Sequence, residues 1–202
     1  MSSVDQQGFR LILASASPRR RELLTQAGYI FDIEAADIDE TPCANEQPGA
    51  YVERLAAEKA KAILEKHAEF HGRLVVLGAD TTVVCDGEIL GKPTDAEDAK
   101  RMLRRLSGRT HQVLTGIAAA TRQGVVSAVE STEVVFSNIR EAELERYCAT
   151  REPLDKAGAY GIQGYAARWI PRIDGDYFNV MGLPIARVVG LLRDVTRIAE
   201  PV

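Results

Sequence analysis

The chain has few of the residues that staple small or metal-built folds. Its three cysteines, Cys43, Cys85 and Cys148, stand far apart with no C-x-x-C spacing, and only three histidines accompany them. A disulfide scaffold or a structural zinc site is therefore not expected. Long apolar runs are also missing. The most apolar stretch, Leu74 to Cys85, is interrupted by Asp80 and is too short to span a bilayer, and the start MSSVDQQGFR has no signal-like apolar region. No membrane association is expected, and the sequence reads as cytoplasmic. Nor is there an excess of positive charge. Twenty-five Lys+Arg against 29 Asp+Glu leave a net charge of −4, so no global field draws nucleic acid. Any phosphate site must be built locally. Compositional bias is absent too: 46% hydrophobic and 27% charged residues with 16 Gly and 8 Pro exclude collagen-like, low-complexity and largely disordered chains. At 202 residues the length fits one large α/β domain or two small lobes.

What is present is an alternation of strand-like and helix-like segments from Arg10 to Arg197, which predicts an α/β or mixed α+β fold. RLILA (Arg10 to Ala14) reads as a strand, followed by the turn SASP and a basic helix from Pro18 to Ala27 that Gly28 closes. A second strand near Phe31 to Ala35 runs into an acidic loop through Glu40. Pro48 then opens an amphipathic helix reaching about His67. Leu74 to Ala79 is a buried strand that Thr82 to Cys85 extends, and Asp86-Gly87 signals a hairpin. Thr94-Asp95-Ala96-Glu97 matches a capping box for a helix that Ser107-Gly108 ends. Thr110 to Thr121 and Val125 to Ile139 form a long hairpin, then a short helix covers Glu141 to Thr150. Residues 153 to 182, rich in glycine and without clear periodicity, read as a binding loop, and a last helix starts at Pro184.

Several residues do not behave like scaffold. In ASASPRR a strand hands over to a helix whose free N–H groups attract anions, and Arg19 and Arg20 add forked donors suited to phosphate. The plainer alternative is that Ser17 caps the helix and the arginines are solvated. Asp80 in LVVLGADTTVV needs a partner, because a core strand tolerates a carboxylate only when it is paired, hydrogen-bonded or cation-binding. A turn-forming aspartate is the alternative. On the long helix Val52, Leu55, Ala56 and Ile63 form an apolar stripe that also contains Lys59. Position alone favours a snorkelling stem for that lysine. Lys92 in ILGKP, Lys156 in LDKAG and Glu40 in DIDE read on their own as solvated charges. Together, two carboxylates, several cations in strand-end loops and a glycine-rich segment with Gln163 suit a polyphosphate. Hydrolysing one needs a cation on phosphate oxygens, a carboxylate for water and fixed positive charge.

With these residues in view the chain strongly resembles the Maf family of nucleoside triphosphate pyrophosphatases, in the branch associated with dTTP and UTP. ASASPRRRELL, YVERLAAEKA, VLGADTTV, GKP, LSGRTHQVLTG, EPLDKAGAYGIQG and DYFNVMGLP follow in the family's order across nearly the whole chain. The resemblance implies an elongated fold related to the inosine triphosphate pyrophosphatases, with a central mixed sheet, flanking helices and a substrate cleft. Residues 1–9 would be an extension and 10–198 a single domain, two lobes around that cleft being one form of it. It also implies a divalent-metal requirement, magnesium or manganese, and a homodimer. Asp80 matches the proton acceptor, with Glu40, Lys59 and Lys92 completing the catalytic set. Ser15 and Arg19 match polar positions of the cleft, with Arg20 beside Arg19 expected to join them in binding the triphosphate, and Arg19, Thr81 and Gln163 match positions of base selection. Glu40 and Asp80 are the implied metal ligands. The Gln163 amide both donates and accepts, complementing the edge of uracil or thymine. The implied reaction is attack of a metal-associated water on the α-phosphorus, giving the monophosphate and pyrophosphate. Two positions depart from the family pattern: Ala166, where glycine is frequent, and Asp176, where serine is usual. Two alternatives stay open, an N7-methyl-GTP pyrophosphatase and a nucleotide-binding regulator of cell division.

Overall fold

The computed structural model describes residues 8–197. Residues 1–7 of the expected extension and residue 198 of the expected domain lie outside the described residues, whereas Phe9 is buried. The elements alternate as β1 (Arg10–Ala14), α1 (Pro18–Gln26), β2 (Asp32–Ile33), α2 (Pro48–Lys66), β3 (Leu74–Cys85), β4 (Glu88–Leu90), α3 (Ala96–Leu106), β5 (Thr110–Thr121), β6 (Gly124–Val135), α4 (Glu141–Cys148), β7 (Arg172–Asp174), α5 (Tyr177–Val180) and α6 (Ile185–Arg197). The strands form a mixed seven-stranded sheet in the order β2-β1-β3-β5-β6-β7, with β4 beside β3. The fold class is the mixed α/β one that the alternation predicts. The chain divides into two compact units. The first takes residues up to Asp80, Thr115–Glu130 and residues from Gly182 onward; the second takes Thr81–Leu114 and Ser131–Met181.

In the first unit β1 runs parallel to both neighbours, pairing Ile12 with Asp32 and Leu13 with Ile33 on one side and Arg10 to Ala14 with Leu74 to Gly78 on the other. Pro18 opens α1 with its preset φ, and Ser17 caps it by accepting from the Arg20 N–H. Helix α2 buries Val52, Leu55, Ala56, Lys59, Ala60 and Ile63, the stripe that the 3.6-residue period predicts. It lies unusually close to the sheet. A Cβ at Gly78 would stand 2.1 Å from the Ala56 carbonyl oxygen, and one at Gly116 would stand 2.2 Å from that of Val52. Only glycine permits this approach, and it sets how far a side chain on α2 must reach to meet β3.

The second unit encloses a core of aliphatic and aromatic side chains, including Leu103, Phe136, Tyr147, Tyr160 and Trp169. Asp86 and Gly87, both with positive φ, make the two-residue turn of the β3–β4 hairpin. Three expectations need correction. The α3 cap is Asp95, not Thr94: Asp95 accepts from the Asp98 N–H, while the Asp98 carboxylate reaches back to the Thr94 N–H, so the reciprocal pair has slipped by one residue. Strand β6 ends at Val135, not Ile139. Beyond it Phe136 donates to the Arg109 carbonyl, Ser137 to that of Trp169 and Ile139 to the Ser107 hydroxyl, and these bonds replace the ladder. Residues 153 to 182 are not an irregular loop. They form three short 3₁₀ turns, β7 and α5, and β7 pairs antiparallel with β6 at Glu133, Val134 and Val135. Runs this short leave no period to read.

Candidate active site

The parallel ladder between β1 and β3 closes at Ala14 and Gly78, and the residues just beyond it are Ser15 on one strand and Ala79 and Asp80 on the other. Ser15, Lys59 and Asp80 are all buried polar groups. The Lys59 Nζ stands 2.6 Å from Asp80 Oδ1 and 2.7 Å from Glu40 Oε1. Lys59 therefore does not snorkel. Two carboxylates replace the water its ammonium would otherwise seek, and the close seating of α2 on Gly78 brings the lysine within reach. Glu40, expected to be solvated, stays half exposed on its loop yet holds the outer side of this pair.

Nor is Arg20 a solvated arginine. Its Nε donates to the Gly182 carbonyl at 2.8 Å, and its Nη1 donates to the Ala79 carbonyl at 2.8 Å and the Ser15 hydroxyl at 3.3 Å. This one side chain joins the start of α1, the turn at Ser15 and the strand residue preceding Asp80. Burial pulls the guanidinium below its ordinary range, Asp80 works against that, and the neighbouring Arg19 adds to the lowering. Arg19 itself is half-buried in the first turn of α1. Burial, then the Asp80 and Glu40 charges, push the Tyr51 phenol up, and its hydroxyl donates to the Glu40 carbonyl at 3.0 Å.

Ser15, Arg20, Glu40, Lys59 and Asp80 thus come together in the first unit. Thr81, Lys92 and Gln163 belong to the second. Thr81 follows Asp80 along β3 and is half-buried, whereas Lys92 and Gln163 are exposed. Gln163 sits on a turn in which Gly164 donates to the Gly161 carbonyl. The fully buried Tyr147 phenol accepts from the Gly161 N–H and donates to Glu152 Oε1 at 3.2 Å, so the turn rests on a fixed frame. Burial and the Glu152 charge push that phenol well above its ordinary range. Lys156 is not a solvated charge either: its ammonium bonds the Glu152 carbonyl at 2.6 Å and Asp155 at 2.5 Å. Of the two departures, Asp176 caps α5 by accepting from the Phe178 N–H, a task serine would share, and the Ala166 methyl is buried in the core. Sequence reading missed Tyr147, Glu152 and Arg54. The one local hint for Arg54 is Glu58, one helical turn on, with which it pairs.

Glu40 and Asp80 are carboxylate donors of the kind magnesium or manganese takes, one or two together with water and phosphate oxygens, and in this structure both face the Lys59 ammonium. Among the described residues no cluster of three or more His, Cys, Asp or Glu could hold a metal unaided. Also among the described residues, no helix is long and apolar enough to cross a membrane.

The model of a family described as Maf-like protein matches residues 10–195. This chain belongs to the Maf family. Its Maf relatives include three proteins named dTTP/UTP pyrophosphatase. The one from Hahella chejuensis is 50% identical over 185 residues, 92% of each chain. Those from Koribacter versatilis and Geobacter sulfurreducens are 49% and 52% identical, over 92% of this chain and 94% and 96% of theirs. A solved nucleoside-triphosphatase / dITP/XTP pyrophosphatase from Mycobacterium abscessus matches at a TM-score of 0.44 and 15% identity, covering 95% of this Maf chain and 98% of its own.

Proposed function

We infer that this chain is a nucleoside triphosphate pyrophosphatase that cleaves dTTP and UTP to the monophosphate and pyrophosphate. The observation that carries the reading is Lys59 held between Asp80 and Glu40 at the end of the parallel ladder. A buried ion pair seldom adds to stability, so keeping one here points to chemistry. The names of relatives at about 50% identity over nine-tenths of both chains give the reaction and substrate class.

Asp80 accepts the proton of the attacking water, and the charge developing on the triphosphate falls to fixed cations. Lys59 and Lys92 supply two of these, and Ser15, Arg19 and Arg20, before and at the start of α1, bind the triphosphate, the two arginines adding positive charge there. Pyrophosphate leaves the α-phosphorus. Glu40 and Asp80 would hold a divalent cation, which when bound neutralises phosphate oxygens. Arg19, Thr81 and Gln163 choose the base, Gln163 by pairing one donor and one acceptor with the edge of uracil or thymine. The reading describes a cytoplasmic enzyme of free nucleotides with one catalytic domain from residue 10, whose homodimer sedimentation would detect. Pyrophosphate release across UTP, dTTP, ATP, GTP and N7-methyl-GTP, with and without magnesium, tests it. UTP and dTTP should lead and the signal should need the metal; N7-methyl-GTP in front, or no turnover of any triphosphate, would overturn it.

A further inference from the structure

The loop that presents Glu40 has no regular structure, yet Glu40 must meet Lys59 at 2.7 Å. A fork on the same helix as Lys59 explains how it is held. Arg54 Nε and Nη2 grip the two carboxylate oxygens of Glu46 at 2.6 and 2.8 Å, Nη2 also donates to the Thr41 carbonyl at 3.2 Å, and Nη1 reaches Glu58 at 3.1 Å. Glu46 in turn accepts from the Cys43 N–H at 2.9 Å. The Arg54 guanidinium lies over the Tyr51 ring at 5.8 Å, and the Tyr51 hydroxyl holds the Glu40 carbonyl. Helix α2 therefore fastens the loop at residues 40, 41 and 46 through Tyr51 and Arg54, one to two turns before Lys59.

An exposed ion pair between two long side chains does little, but this one differs in two respects. The Glu46 side chain is only 8% exposed, and the contact is a two-point fork, which fixes orientation as well as distance. The Arg54 hydrogen bonds, with the Cys43 N–H, hold the Glu46 carboxyl down at about 2, so the fork stays charged throughout the range in which the protein would work. We propose that Arg54, locked on Glu46, is a positioning residue that aims the Glu40 carboxylate at Lys59 and at the cation Glu40 would bind. This rests on the proposed role of Glu40.

The test is a double-mutant comparison of Arg54→Ala and Glu40→Gln, read by pyrophosphate release and by paramagnetic titration of manganese into the nucleotide-free protein. Loss of a group that orients a ligand typically costs 10- to 100-fold, so Arg54→Ala should weaken manganese binding and kcat/KM by about that much. In the Glu40→Gln background it should add little, because its only route to the site has gone. Arg54→Lys, which restores the charge without the fork, should recover only part of the loss, and Glu46→Gln should fall between. Both keep the proposal testable if Arg54→Ala does not fold. Equal losses from Arg54→Ala in both backgrounds, or full manganese binding in Arg54→Ala, would overturn it. Wild-type manganese binding and turnover in Glu40→Gln would instead remove Glu40 from the site, and this proposal with it.

Discussion

The two units bury polarity in opposite ways. The first takes full charges inside: Lys59 between Asp80 and Glu40, with Arg20 bonded to two carbonyls and a hydroxyl nearby. The second buries neutral polar groups within an aromatic cluster, where His111 stands edge-on to Phe136 and Tyr160, and Tyr147 stacks on Tyr165. Among the described residues His111 Nδ1 and Trp169 Nε1 have no hydrogen-bond partner, a deficit that neutral groups survive, whereas the buried Nε of the charged Arg105, also without a hydrogen bond, has the Glu88 carboxylate 3.2 Å away. The difference teaches where chemistry and where positioning reside. Interior charge is costly unless it is used, whereas an aromatic frame supports a turn such as the one bearing Gln163 cheaply.

The comparison breaks most readily at Asp80. Asp80→Asn should slow pyrophosphate release by roughly 10²–10⁴-fold, the loss typical of a general base, while calorimetry still detects nucleotide. Folding should hold, because Lys59 keeps Glu40 as its partner. Turnover at the wild-type rate would exclude Asp80 as the base. Lys59→Met should abolish most activity and also destabilise the protein by about 3–5 kcal/mol in urea, since it strands a buried carboxylate. Adding Asp80→Asn should return much of that stability; if the two losses simply sum, the pair is not coupled.

The aromatic unit should answer to pH instead. Burial holds the His111 imidazole down at about 4, below its unfolded value near 6.5. The unfolded chain therefore binds the proton first as pH falls. Stability is fully present above about 6.5, drains away between 6.5 and 4, and levels off below, by about 3 kcal/mol in all. In His111→Gln that limb of the thermal midpoint against pH should flatten; an unchanged limb would place its origin elsewhere. The smallest effect expected is selective. Gln163→Glu should cut the preference for UTP over GTP by about 1–3 kcal/mol while leaving the fold unchanged, and an unaltered rate ratio would dissociate Gln163 from base selection.

Most elements were legible in the sequence, for local reasons. β1, the apolar stripe of α2 and the start of α1 depend on side-chain period and on Ser17 and Pro18, which neighbours in the chain decide. Asp80 announced itself because an aspartate inside an apolar strand demands a partner. The α3 cap slipped because Thr94 and Asp95 are both good caps, and the pairing with Asp98 chose between them. Strand β6 stopped early because donors from residues 136 to 139 found acceptors in the turn at 107 to 109 and at Trp169.

By itself, then, the sequence determined the order of helices and strands, the buried face of α2 and the presence of an aspartate that needed a partner. Only tertiary structure decided that the partner is Lys59, 21 residues away along the chain. It also decided that Glu40 closes the other side, that Arg20 supports the strand before Asp80, and that Arg54 pins the loop. Helical period places Lys59 on a stripe, but it cannot say what that stripe meets. The meeting depends on the bare backbones of Gly78 and Gly116 letting α2 settle onto the sheet, a distance set by packing across the chain and by no local pattern.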